Sequence, residues 1–433
     1  MRPSRLVFIE TQNGPKQPVK TTLEYYLALR SKAGSAYILI YSLSMSAYLD
    51  NAATTPLRPE ALATYTEYLQ LVGNPSAIHS AGQQARRAVE EAREEIAFAV
   101  NANRNEVIFT SGGTESDNLA IKGIFWQQQS TDRAKKVIIS TLAEHHAVLD
   151  PIEWLVKFQG AEVIWLETDD RGVINIDHLS DILATRADEV ALISVMWANN
   201  EIGVINPIKQ IVDLAKPYKI PVHSDAVAAF GHTPVDFAKS GLAAMSITAH
   251  KVGGPVGVGA LLVARSAKLV SLVHGGGQER GLRSGTLTAA AAKAFAVAAR
   301  LSVGDLVLET KRLAELQDRL VKGVKSAVPS AKFSRGDAPG LANNAHFTFP
   351  GCHGDSLLFL LDQAGVQVST GSACQAGVSG ASHVLLAIGR SNDEACGPIR
   401  VTFGYQTTDA DVDAFLTALP KAHEAALKAG LPT

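Results

Sequence analysis

The chain has 433 residues, a formal net charge of −2 and a hydrophobic fraction of 46%. That length fits a large domain carrying a smaller one, and the near-neutral charge argues against a direct nucleic-acid binder, which would show a basic excess. No apolar run reaches the roughly 20 residues of a membrane span, and the three cysteines (Cys352, Cys374 and Cys396) show no CxxC spacing, so neither a disulfide framework nor a metal site is expected.

Residues 1–44 stand apart, with six Lys/Arg against two Glu and one apolar patch, "AYILIY" at 36–41. They have no clear helical or strand period of their own. Two readings remain open: a basic transit peptide, or a non-essential extension ahead of a natural start at Met45. The cysteine usage suits a reducing compartment. The expected location is therefore cytoplasmic, or organellar if the segment is a transit peptide.

From Glu106 onward, short apolar runs alternate with helix-like stretches. The runs are "EVIFT" (106–110), "KVIIS" (136–140), "EVIWLE" (162–167), "VALISVM" (190–196), "IPVHS" (220–224), "AAMSIT" (243–248) and "VGALLVA" (258–264). Continuous apolar strands between helices predict an α/β fold, three layers around a mostly parallel sheet. After Arg300 the pattern changes. A helix over roughly 305–327, then "NNAHFTFP", "SLLFLLDQAG", "GPIRVTFG" and a last helix, predicts a smaller α+β domain. The expected division is an extension at 1–46, a large domain at 47–304 and a small domain at 305–433. The first ~15 residues of the large domain are expected to pack on the small one.

Open parallel sheets bind ligands beyond the carboxyl ends of their strands. After "EVIFT" comes "SGGTESDN", with Gly113 and Thr114 opening a helix. It reads either as a phosphate cradle or as an ordinary capped turn. After "KVIIS" comes "EHHAVLD". His145 and His146 are adjacent and face different ways on a helix, which makes a poor metal pair. His145 reads as a helix-start residue or as a flat ring for stacking on an aromatic ligand. Asn199 and Asn200, after "VALISVM", read as turn residues or as hydrogen-bonding partners of a polar ligand. Asp225 closes "IPVHS", and a buried carboxylate there wants a cationic partner. Lys251 follows "AAMSIT" in apolar surroundings that would lower its pKa and free its amine. The glycines after it lead into a strand rather than a helix, so a dinucleotide motif is excluded. One ligand accounts for the whole set. A phosphate cradle, a ring to stack, a buried Asp and an apolar Lys are what pyridoxal phosphate requires.

From about Ala47 to the end, the chain resembles the cysteine desulfurases, a class V branch of the fold-type-I pyridoxal-phosphate enzymes. The stretches that carry the likeness include "YLDNAATTP", "GNPSAIH", "FTSGGTESDNLAIKG", "NNEIGV", "HSDA", "AHK", "HGGGQERGLRSGT", "STGSAC" and "IRVTFG". The resemblance implies the aspartate-aminotransferase-like fold. It makes Lys251 the Schiff-base lysine, Asp225 the partner of the pyridine nitrogen and His145 the stacking ring. Gly113, Thr114, Thr248 and His250 would hold the phosphate. Thr286 would reach the phosphate of a neighbouring subunit, which implies a homodimer. Asn200 would contact cofactor or substrate, and Arg400 would clamp the substrate carboxylate. Asn51 and His79 lie in family motifs near the active site. Cys374 would be the nucleophile that takes sulfur from L-cysteine, leaving alanine and a persulfide for an acceptor protein of iron–sulfur cluster assembly or tRNA thiolation. Gly and Ser around it suit a flexible tether.

The chain departs from the family pattern twice. Ala228 stands where a Gln usually bonds the cofactor's phenolic oxygen, and "VSGASHV" has Gly-Ala where an acidic residue and Pro are common. Two other readings stay within the fold: a selenocysteine lyase or other class V lyase, and a non-catalytic scaffold. "STGSAC" favours the desulfurase over the first. The retained Lys251, Asp225, Arg400 and Cys374 argue against the second.

Overall fold

The computed structural model describes residues 25–30, 36–41, 46–371 and 380–429. Strands β1 (Tyr25–Arg30) and β2 (Ala36–Tyr41) pair antiparallel, Tyr25 opposite Tyr41. This differs from the absence of strand period expected there; both segments are dense in Tyr, Leu and Ile, which fit a pleated strand.

Strand β3 (Ala47–Tyr48) leads to helices α1 (Pro59–Leu69) and α2 (Ser80–Ala99). Then come β4 (Val107–Thr110), α3 (Gly113–Thr131), β5 (Val137–Ser140), α4 (His146–Gln159), β6 (Glu162–Trp165), α5 (Ile176–Arg186) and β7 (Val190–Ser194). They are followed by α6 (Ile208–Ala215), β8 (Val222–Asp225), α7 (Phe237–Ser240), β9 (Ala244–Thr248), β10 (Gly259–Val263) and α8 (Ala289–Gly304). The seven-stranded sheet has the order β4-β10-β9-β8-β7-β5-β6. Only β10 runs against its neighbours.

Alternation along the strands separates two cores. Val107, Phe109, Ile139, Met245 and Ile247 face a layer that includes α2, α5, α6 and α8. Ile108, Ile138, Leu192, Ala244 and Leu261 face α3 and α4. Strands buried on both faces have no polar side to offer water, which is why they read as continuous apolar runs. The strand order reverses between β5 and β7: β5 leads out to β6, while β7 leads the other way through β8 and β9. That reversal opens a crevice at the carboxyl ends of the strands.

Beyond Asp305 lie α9 (Leu306–Ala327), β11 (Lys332–Phe333), β12 (Asn344–Thr348), α10 (Gly354–Gln363) and β13 (Val366–Gln367). The chain ends with α11 (His383–Ala387), α12 (Asn392–Cys396), β14 (Pro398–Thr402) and α13 (Asp409–Ala429). Strands β11, β12 and β14 form an antiparallel sheet, with His346 opposite Arg400. Its core draws Leu313, Leu316, Leu320 and Val324 from one stripe of α9, with Phe347, Phe403 and Phe415. Each such side chain stabilises the fold by roughly 1.5–3 kcal/mol when fully buried. Strand β3 pairs in parallel with β13, and Leu49 packs into the same core as Phe347, Phe403 and Phe415. Among the described residues, no helix is long and apolar enough to cross a membrane.

Candidate active site

A cavity of about 340 Å³ lies where the strand ends of the large domain meet the small domain. It is lined by Gly113, Thr114, His145, Asn200, Asp225, Ala228, Thr248, His250, Lys251 and Arg400, and also by Asn51. Apart from Asn51, each large-domain residue of that set ends or closely follows a strand of the main sheet. The separate strand-end signals thus meet in one place.

At one end, α3 starts at Gly113, and its N-cap, Gly112, has no side chain to cap the helix. Gly112 sits at φ +153, which disfavours any Cβ, and the bare helix end meets the cavity through Gly113 and Thr114. Exposed N–H groups and the positive end of the helix dipole favour an anion there. Thr248 and His250 line the same cavity. The Thr248 hydroxyl donates to the Val258 carbonyl at 3.3 Å, and His250 Nδ1 lies 3.3 Å from Thr54 Oγ1.

Asp225 ends β8 and is buried. The Val227 N–H donates to its Oδ1 at 2.8 Å. Burial pushes its pKa up to about 6, against the pull of that N–H and of the Lys251 charge. A carboxylate held up by desolvation is stabilised by a cation placed against it, as a protonated pyridine would be. Behind it, Asp117 and Glu144 are pushed well above the ordinary carboxylate range, by burial first and then by the Asp225 charge. His223, between Ser194 Oγ at 2.9 Å and Ser246 Oγ at 3.0 Å, is held neutral by burial, its pKa down to about 3.

Lys251 Nζ donates to the carbonyl of Ala52 and, at 2.8 Å, to that of Ala53. Its own carbonyl accepts from Thr55 Oγ1 at 2.9 Å and lies 3.2 Å from His232 Nε2. These contacts fix the backbone under the amine. His145 caps α4, its Nδ1 accepting the Ala147 N–H at 3.0 Å. Burial and then the Lys251 charge lower its pKa to about 4, so the ring is neutral and its proton resides on Nε2.

Arg400 crosses from the small domain. Its Nη1 donates to the Asn200 carbonyl at 3.0 Å and its Nη2 to Asp50 Oδ1 at 2.9 Å, while the buried Nε meets no hydrogen-bond acceptor among the described residues. An unmatched buried donor beside a cavity fits a carboxylate ligand.

Not every expected residue comes together here. Thr286 is exposed and outside the lining. His79 is exposed too, and serves as the N-cap of α2, accepting the Gly82 N–H at 3.3 Å. Cys374 lies in 372–379, outside the described residues. Conversely, His232, Asn343 and Asn344 line the cavity without having been expected. The repeated Asn at the start of β12 was the available signal for the last two. His232 comes in only through tertiary packing against the Lys251 backbone.

An anion-binding helix end, a buried acid, a lysine and a neutral ring together fit pyridoxal phosphate. The class-V aminotransferase family model matches residues 47–415. An IscS-like cysteine desulfurase of Mycobacterium tuberculosis is 50% identical over 386 residues, 89% of this chain and 98% of its own. A solved NifS-like protein superposes with a TM-score of 0.80 at 32% identity, covering 88% of this chain and 99% of its own. The structure of SspA in complex with cysteine gives 0.72 at 31% identity, covering 83% and 99%. The fold and site define a pyridoxal-phosphate enzyme, and the chain belongs to the class-V aminotransferase family. Within that family it belongs with the cysteine desulfurases.

Proposed function

We propose that this enzyme transfers the sulfur of L-cysteine to Cys374, releasing L-alanine, and then passes the persulfide sulfur to an acceptor protein of iron–sulfur cluster assembly or tRNA thiolation. The observation that carries the reading is the convergence of Lys251, Asp225, His145 and Arg400 on one cavity. The solved relative bound to cysteine supports the choice of substrate.

Bound at Lys251, pyridoxal phosphate draws electrons from the substrate amino acid and weakens its C–S bond. Gly113, Thr114, Thr248 and His250 would hold its phosphate, and Asp225 its pyridine nitrogen. The chain's own groups do the rest. Arg400 orients the substrate carboxylate, its buried Nε supplying a donor that the described residues leave unmatched. Asn200, whose carbonyl holds Arg400, is within reach of cofactor and substrate. His145, neutral with its proton on Nε2, serves as proton carrier at the reacting atoms. The thiolate of Cys374 forms an S–S bond with the substrate sulfur as the C–S bond breaks; the carbon keeps the electron pair and takes a proton. Carbon is reduced as sulfur is oxidised, so no outside oxidant is required. Thiol exchange then delivers the outer sulfur to the acceptor.

We further propose that the enzyme is a homodimer working in the cytoplasm. Pro75, Ser76, residues 276–280 and Leu287 help line one groove, and Val72 and Ile78 beside it are 83% and 90% exposed. Apolar side chains that open to water favour a partner surface, and Thr286 belongs to the same exposed loop. Incubation with L-cysteine followed by alanine assay and intact mass tests the chemistry. Alanine release with one added sulfur on Cys374 is expected, and release without any persulfide would overturn it. Light scattering tests the dimer.

A further inference from the structure

Glu201 belongs to "NNEIG" in the loop after β7, and its side chain leaves the large domain to meet two points of the small one. The first is Gly371. This glycine sits at φ +83, and a Cβ there would fall 2.5 Å from Glu201 Cγ and 2.7 Å from Cδ, so its bare backbone packs directly on the carboxylate arm. The second is Ser382, fully buried, whose hydroxyl donates to Glu201 Oε1. The same hydroxyl caps α11 by accepting the Leu385 N–H at 3.1 Å. His346 Nε2 completes the surroundings at 3.6 Å from Oε1. Glu201 is itself held at its backbone. Its N–H donates to Asn199 Oδ1 at 2.9 Å, and its carbonyl accepts from Asn344 Nδ2 at 3.2 Å. The preceding carbonyl, that of Asn200, holds Arg400.

Gly371 and Ser382 bracket Cys374 in the sequence. A buried carboxylate is costly, and the fold retains this one at 1% exposure where an apolar side chain would pack more cheaply. We propose that Glu201 is a positioning residue that fixes both ends of the segment carrying the nucleophile, and ties them to the loop that holds the substrate-binding arginine. The inference rests on the reading of Cys374 as the sulfur-accepting thiol. Glu201 touches neither substrate nor cofactor; it acts through Gly371 and Ser382.

The test compares Glu201→Ala, Glu201→Gln and Ser382→Ala as cofactor-loaded full-length proteins. Spectral titration with L-cysteine reads substrate binding, and single-turnover alanine release reads sulfur transfer. Misplacing a reacting atom by about 1 Å costs up to roughly 100-fold. Glu201→Ala should therefore slow alanine release by about 10–100-fold while the spectral Kd stays within about threefold. Ser382→Ala should slow it less. Glu201→Gln, whose amide oxygen still accepts from Ser382, should restore most of the rate. An unchanged rate in Ser382→Ala, or a rate and a Kd that worsen equally in Glu201→Ala, overturns the proposal. Amide hydrogen exchange separates this outcome from failure of the Cys374 reading. Gly371 and Leu385 should exchange faster in Glu201→Ala than in the parent, and unchanged exchange at both overturns the anchoring whatever Cys374 does.

Discussion

The two walls of the cavity are built differently. On the large-domain side, Lys251, Asp225, His145, Thr248 and Asn200 each end or closely follow a strand of one sheet, and the sheet alone brings them to a common edge. On the small-domain side, Arg400 lies within a strand and is held by Asp50 and Asn200, while Gly371 and Ser382 meet Glu201, all from distant parts of the chain. The first wall is set by topology. The second is set by pairwise contacts across the domain junction. Substitutions on the first side should therefore damage the cofactor's own site, and those on the second should spare the cofactor and damage transfer.

The largest effect separates the walls most sharply. Lys251→Ala removes the amine proposed to bond the cofactor, and no other lysine lines the cavity among the described residues. Turnover should fall by at least about 10³-fold, with loss of the bound-cofactor absorbance. Cys374→Ser should do the opposite. The cofactor spectrum and the spectral response to L-cysteine should stay, while persulfide formation disappears, because a hydroxyl is a far weaker nucleophile toward sulfur than a thiolate. Mass spectrometry of the parent should place the added sulfur on Cys374 and not on Cys352 or Cys396. A Cys374→Ser protein that has lost its cofactor would erase the distinction between the walls.

The difference also explains what could be read without the structure. Strand ends follow from local pattern: "IPVHS" then Asp225, and "AAMSIT" then Lys251, needed only the rule that parallel strands share a carboxyl edge. Glu201 gave no such signal, since a Glu in a turn after two asparagines reads as a solvated residue. Its burial is created by Gly371 and Ser382, far along the chain, and residue order does not encode which turn will lie beneath them. His232 escaped for the same reason. The hairpin at β1 and β2 escaped because its residues run together without alternation.

The third prediction probes the contact-built wall through pH. Burial raises the Glu201 carboxyl from 4.5 to about 7, against the pull of the Ser382 hydroxyl and the Arg400 charge. A raised pKa means that the folded state binds the proton more tightly than the unfolded one. The stability from this group is fully present below about pH 4.5 and is lost as pH rises through about 7. Glu201→Gln cannot lose that proton. The stability of the variant relative to the parent should improve between pH 5 and pH 8 by an amount on the order of 3 kcal/mol at most. Denaturant melts at the two pH values check it, and a constant difference would show that Glu201 is ionised at both.

The smallest effect belongs to the topology-built wall, at Ala228. This residue lines the cavity just after Asp225, where the family resemblance leads to a Gln that bonds the cofactor's phenolic oxygen. An alanine methyl cannot donate. The oxygen must then take its hydrogen bond from water or from another side chain of the lining. A donor to an ionised oxygen contributes roughly 1.5–3 kcal/mol, and a water that takes its place recovers most of it. Ala228→Gln should therefore tighten cofactor retention by no more than about tenfold, measured as the Kd for pyridoxal phosphate added to the apo protein. It should leave the single-turnover transfer to Cys374 within about threefold, since the change lies on the wall built by the sheet and not on the one built by contacts to Arg400 and Glu201. Cofactor retention that is unchanged in a folded Ala228→Gln protein would mean that a neighbouring group already fills the role. Slowed transfer with unchanged retention would mean that the two walls are coupled through this position, and the division between them would fail.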